Sequence, residues 1–164
     1  MSALLERPAV RRVQAALAAA GSETRVIALD GTARSAEDAA RSVGVALGAI
    51  VKSLVFSVGG QPVMALVAGD RRCDTRVLAA ALGLAGKVAR ADADAVRAAT
   101  GFTIGGVPPL AHAEALPTAI DASLGRFETV YAAAGHPHCV FATTPDELVR
   151  LTGAPLVEGL GAPG

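Results

Sequence analysis

Residues 132–141, AAAGHPHCVF, hold two of the chain's three histidines and one of its two cysteines within four consecutive positions. Such a cluster raises three readings: a metal site, a thiol nucleophile, or a less direct role. A zinc site needs three or four ligands converging at about 2.0–2.3 Å. His112 is the only other histidine, and the second cysteine, Cys73, is far away in the chain. Pro137 biases His136 toward extended backbone, and strand alternation turns Cys139 away from His138. No metal is therefore expected. Cys139 precedes Val140 and Phe141 in a probable-core pattern, where a thiol behaves as a small hydrophobe rather than a nucleophile. For His138 a satisfied structural histidine is the competing reading.

Two further groups could carry chemistry. In IVKSLVFSV, residues 50–58, period-2 alternation places Lys52 with Ile50, Leu54 and Phe56 on the more apolar face. A buried ammonium is costly without a partner, so Lys52 either snorkels out at a strand end or faces a cavity holding an anion or polarised carbonyl. Arginines outnumber lysines thirteen to two, so a lysine inside a strand suggests selection for shape or reach. In GGVPP, residues 105–109, Gly105 and Gly106 offer unhindered N–H groups ahead of two stiff prolines, which suits donors aimed at a developing oxyanion. An ordinary rigid connection has the same composition. Arg7, Arg11 and Arg12 on the first helix, and Arg71, Arg72 and Arg76 around a loop and helix start, either contact phosphates or form solvated faces.

The elements that must position these groups mix helix and strand. A helix over the first twenty residues carries Val10, Val13, Leu17 and Ala20 on one face. A strand spans 24–30, and Ser35 and Asp38 open the next helix. Two β-rich runs, 50–58 and 62–69, join through Gly59 and Gly60 as a hairpin. Helices at 74–82 and 92–99 flank a short strand, and 100–112 is a Gly- and Pro-rich loop. Strands at 119–121, 128–134 and 138–142 precede a helix marked by Thr144, Pro145, Glu147 and Gly153. Strands outnumber a regular βαβ alternation, which predicts an α+β domain with a mixed or antiparallel sheet. One domain over 1–157 and a loose tail over 158–164 are expected.

Composition narrows function. The formal net charge is zero, so no global basic field draws the chain to nucleic acid and any such contact is local. Aromatics are 3% with no Trp, which argues against a stacking single-strand binder. Charged residues and Pro8 interrupt the N-terminus before a signal-peptide core could form. No apolar run reaches the roughly 18 residues of a membrane span. The widely separated cysteines form no disulfide framework, and the reducing cytoplasm is expected.

The segments IVKSLVF, DTRVLAAALG, TGFTIGGVPPLAH, PTAIDASL, VYAAAGHPHCVF and TPDELVRLTGA occur in an order and spacing similar to the YbaK family, relatives of the editing domain of bacterial prolyl-tRNA synthetases. The resemblance runs from about Ser22 to Pro155. It implies a mixed, partly barrel-like sheet surrounded by helices, and a trans-acting aminoacyl-tRNA deacylase that hydrolyses the ester of a small mischarged amino acid (Ala, Ser, Thr, Cys or similar). The acceptor implied is the proline tRNA. Lys52 matches the family's essential lysine. The loop from Gly105 and Gly106 through Val107, Pro108 and Pro109 matches the one that cradles the scissile ester, and Asp121 an acidic position beside the pocket. Many cysteine-deacylating relatives carry Ser or Thr where this chain has Ala133, which shares strand parity with Tyr131. This departure argues against cysteine as the substrate.

Gly135 and His136 resemble the branches acting on other small residues, which implies substrate contact. The partners implied are the acceptor end of mischarged tRNA, with Arg71, Arg72 and Arg76 as contacts, and prolyl-tRNA synthetase or an elongation factor. No membrane, DNA or cofactor is expected. Two other classes stay open: a non-catalytic module binding aminoacyl-tRNA or a synthetase, and a metal-dependent hydrolase of small esters.

Overall fold

The computed structural model describes residues 3–29 and 35–164. Its organising element is the hairpin of β2 (Ile50–Val58) and β3 (Gln61–Ala68). Gly59 and Gly60 both have positive φ, 57° and 86°, the left-handed backbone that a two-residue hairpin turn requires and glycine supplies without strain. The turn sets the register, from Val58 opposite Gln61 to Val51 opposite Ala68.

The sheet grows from both edges of this hairpin. β6 (Thr118–Asp121) runs parallel to β3, and β9 (Leu156–Val157) parallel to β6. On the other side β7 (Val130–Ala133) runs parallel to β2, followed by β8 (Cys139–Thr143) and β1 (Ile27–Ala28), each antiparallel to its neighbour. β5 (Val88–Arg90) shares this edge of β2. Along β2, β7 pairs only with Ile50 and Val51, whereas β5 pairs only with Phe56, Ser57 and Val58. Between them β2 has no strand partner on that edge among the described residues, and the sheet is split.

The helices α1 (Pro8–Ala19), α2 (Ala36–Val43), α3 (Thr75–Leu82), α4 (Ala93–Thr100) and α5 (Pro145–Thr152) begin where the residue types dictate. Ser35, Asp74, Asp92 and Thr144 each accept a hydrogen bond from a first-turn N–H, satisfying donors that have no partner within the helix. Alternation along β2 feeds two cores. Val51 and Val55 pack with Val13, Leu66, Phe141 and Leu148, while Phe56 and Val58 pack with Val67, Leu78 and Leu160 on the opposite face. The mixed α+β architecture agrees with expectation.

Three local expectations are corrected. The strand expected over 24–30 is reduced to Ile27–Ala28, an edge pairing with β8, and Asp30 lies outside the described residues. Arg71–Cys73, expected in a loop, form β4. The tail expected to be loose forms β10 (Gly161–Pro163), antiparallel to β4, and fully buries Leu160. Its Gly- and Pro-rich sequence has little strand propensity of its own. Pairing with a partner strand ninety residues earlier in the chain supplies the order, and tertiary context overrides local propensity. Among the described residues no helix is long and apolar enough to cross a membrane.

Candidate active site

A cavity of roughly 440 Å³ opens where the sheet splits. Lys52, Ser53 and Val55 of β2 form one wall, Tyr131 and Ala133 of β7 another, and Ile104, Gly105 and Val107 of the long loop a third. Pro137, Val140 and the start of α2 complete it. The lining is mainly aliphatic. Among the described residues Lys52 and Arg90 are its charged members, and no Asp or Glu lines it.

The Lys52 ammonium donates to the Arg71 carbonyl at 2.5 Å, so β4 holds its position. Burial lowers its pKa from 10.5, the Arg90 guanidinium lowers it further, and Asp70 opposes both. Asp70 is itself clamped by Arg126 through two hydrogen bonds of 2.7 and 2.9 Å. The site thus presents cationic charge to a mainly aliphatic chamber, where a dielectric below that of bulk water strengthens its pull on an anion.

The loop facing Lys52 is irregular but well anchored. Ala113 N–H donates to Thr100 C=O at 3.0 Å, and His112 Nε2 bonds the Pro108 carbonyl at 2.6 Å. Arg12 lies 4.4 Å over the Phe102 ring and donates to Gly101 C=O. Gly105 has φ of +88° and lines the cavity, and its N–H has no partner among the described residues. Gly106 differs. Its N–H donates to Thr103 C=O at 3.0 Å and its C=O accepts from Gly135 N–H at 2.9 Å. The expectation that Gly106 supplies an oxyanion donor is therefore corrected: that N–H is already committed. What Gly106 provides is room, since a Cβ there would lie 2.9 Å from the His136 N and Cα. Gly106→Ala is expected to push the loop off the β7–β8 connection, with a loss of about 1–3 kcal/mol from overpacking. Urea unfolding checks the first effect, and a tenfold or larger fall in turnover checks the misplacement, since about 1 Å can cost some 10²-fold.

These walls can be compared with those of known proteins. The family model described as "Aminoacyl-tRNA editing domain" matches residues 30–151. The chain belongs to that family. A solved structure described as a candidate trans-editing enzyme for prolyl tRNA synthetase is 40% identical, with a TM-score of 0.87 over 96% of this chain and 99% of that one. The uncharacterised YwhH of Bacillus subtilis is 34% identical over 127 residues, 77% of this chain and 80% of YwhH. EbsC of Enterococcus faecalis, named as a candidate Cys-tRNA(Pro)/Cys-tRNA(Cys) deacylase, is 30% identical over 126 residues, 76% of each chain.

Within this editing domain the remaining expected residues fall into two groups. Lys52, Gly105, Val107, Tyr131 and Ala133 converge on the cavity. Pro108, Pro109, Asp121, Gly135 and His136 do not line it, nor do Arg71, Arg72 and Arg76. Asp121 is 1% exposed and accepts from Ala68 N–H, Ser123 N–H and the Ser123 hydroxyl, which makes it a buried joint between β3 and β6. Gly135 lets the hairpin pass α1, as a Cβ would sit 2.7 Å from Ala9 O. His136 Nδ1 accepts from His138 N–H at 3.1 Å, a bond that only an imidazole unprotonated at Nδ1 makes. Burial and the nearby charges of Arg7 and His138 lower its pKa. Pro137, not His136, reaches the chamber. Cys139 is fully buried and its thiol is pushed upward by burial, the opposite of activation. Among the described residues no three His, Cys, Asp or Glu side chains gather as a metal set. Sequence reading missed Ser53, Arg90 and Pro137. Only the pairing of β5 against β2 could have signalled Arg90, because it brings that residue opposite Phe56.

Proposed function

We propose that this editing domain is a deacylase acting in trans on tRNA, hydrolysing the ester of a small mischarged amino acid, with the proline tRNA as acceptor. The observation that carries the reading is the small aliphatic chamber between Lys52 and Gly105. A synthetase discriminates weakly against a substrate smaller than its cognate, because one lost methylene contact is worth only about 1–3 kcal/mol. A second chamber that admits small side chains and excludes larger ones supplies the missing selectivity. The solved relative described as a candidate trans-editing enzyme for prolyl tRNA synthetase and the name of EbsC support tRNA(Pro). The methyl of Ala133 in place of a hydroxyl disfavours cysteine.

An ester is already activated toward water, so positioning and charge stabilisation suffice. Water adds to the ester carbonyl and gives up a proton, the Gly105 N–H and the Lys52 ammonium stabilise the oxyanion, and collapse breaks the bond to the ribose oxygen, which leaves as a hydroxyl on taking up a proton while the free amino acid is released. A ribose hydroxyl of the tRNA orients the water, which fits a cavity wall on which no nucleophile and base are assembled among the described residues. Prolyl-tRNA synthetase or an elongation factor would deliver the substrate.

The test is a panel of tRNAs mischarged with Ala, Ser, Thr or Cys and incubated with the purified protein. Accelerated release of at least one small residue from tRNA(Pro) is expected, with prolyl-tRNA(Pro) spared. Tight binding without release of any residue would select a non-catalytic module instead.

A further inference from the structure

Among the described residues the split in the sheet leaves a specific main-chain pair without a strand partner. With Val58 and Gln61 closing a two-residue turn, antiparallel alternation aims the polar groups of even-numbered β2 residues at β3 and of odd-numbered ones at the opposite edge. Two bonds agree with this phase: Ile50 C=O accepts from Gly69 N–H on the β3 side, and Val55 C=O accepts from Ala91 N–H on the other. Ser53 N–H and C=O therefore point into the split, where neither β7 nor β5 reaches. Ser53 also lines the cavity, and its Oγ is buried with no hydrogen-bond partner among the described residues. Leaving a buried polar group unpaired is unfavourable, so a half-buried residue with an unpartnered hydroxyl, and with no strand among the described residues to answer its main-chain pair, marks a place for a ligand beside the chamber.

We propose that the aminoacyl group of the ester docks here as a one-residue strand. Its α-ammonium donates to Ser53 C=O, and its ester carbonyl accepts from Ser53 N–H. The inference rests on the deacylase reading above and adds how the amino acid is held. An extended amino acid carries its N–H and C=O on the same edge, matching the donor and acceptor of a single β residue, as in strand addition to an open sheet edge. Among the described residues no carboxylate lines the cavity, and the Ser53 carbonyl is the acceptor this pairing offers the ammonium. Paired residues also share a face of the sheet, so the substrate side chain turns toward Val51, Val55 and Val107, the small aliphatic wall. The Ser53 N–H then joins Gly105 in facing the reacting carbonyl.

The proposal is tested on the substrate, since main-chain groups survive most substitutions. Alanyl-tRNA(Pro) and propionyl-tRNA(Pro) differ only in the amine, and each rate is divided by its own hydrolysis in buffer. The acceleration is expected to be at least about tenfold smaller for the propionyl ester, the scale of one charge-assisted hydrogen bond. Equal acceleration of both esters would overturn the pairing while leaving the deacylase reading intact. Acceleration of neither, together with no release of Ser, Thr or Cys, would remove that reading itself. In parallel, adenosine carrying alanine through an amide in place of the ester is titrated into 15N-labelled protein. The Ser53 amide proton is expected to move downfield and exchange more slowly. Shifts at Gly105 and Val107 with Ser53 unmoved would overturn the proposal.

Discussion

Replacing Lys52 with alanine is expected to lower kcat/KM for deacylation by about 10²- to 10³-fold, the range found when one preorganised oxyanion donor is removed. Stability should change little. The ammonium loses one hydrogen bond, to Arg71 C=O, but its burial was unfavourable. Turnover by single-exponential release and urea unfolding of the same preparation separate the two effects, and full activity in Lys52→Ala would remove the residue from the mechanism. The lowered pKa adds a pH signature. Lys52 gives up its proton below the ordinary value of 10.5, so the enzymatic acceleration over buffer should decline as pH rises through that lowered pKa. The unfolded chain binds the proton more tightly, so this group makes stability rise with pH across the same window. Only one other lysine, Lys87, is present. A Lys87→Arg variant therefore leaves a single lysine Cε signal whose titration by NMR reads Lys52 directly.

Leu160→Ala is expected to cost about 2–5 kcal/mol, as for other fully buried leucines. Leu160 has no exposed surface and packs against Phe56, Val67 and Leu78, and its C=O accepts from Asp74 N–H at 2.8 Å, tying the tail to the start of α3. The adjacent Gly161 lies so close to Asp121 that a Cβ would sit 2.0 Å from the carboxylate. The tail thereby covers a carboxylate that accepts from Ala68 N–H, at the end of the strand paired to the Lys52 segment. A shift in urea midpoint with an unchanged m-value would report this loss. An effect below about 0.5 kcal/mol, typical of exposed positions, would return the tail to the loose state its composition suggests.

Much of the fold was legible because its signals are local. Ser35, Asp74, Asp92 and Thr144 are helix caps by residue type, and Gly59-Gly60 is a tight turn wherever two β-rich runs flank it. The alternation in β2 sorted its side chains correctly between two faces. Within the candidate site, Lys52, Gly105, Val107, Tyr131 and Ala133 were legible in the sequence and meet at the cavity. Asp121 and His136 were misplaced because family position says nothing about which way a short strand end or hairpin tip turns. Gly106 was misread because a glycine's sequence cannot reveal whether its N–H already has a partner.

By itself, then, the sequence determined the helices with their caps, the central hairpin, and the lysine and glycine loop on which the chemistry is proposed to rest. Those depend on interactions among residues a few positions apart. The tertiary structure alone decided that β5 and β7 meet β2 at opposite ends, leaving Ser53 open between them, and that the last residues close over Asp121. Both outcomes come from pairing between segments distant in the chain, whose energy depends on which edges remain free after the local elements have formed.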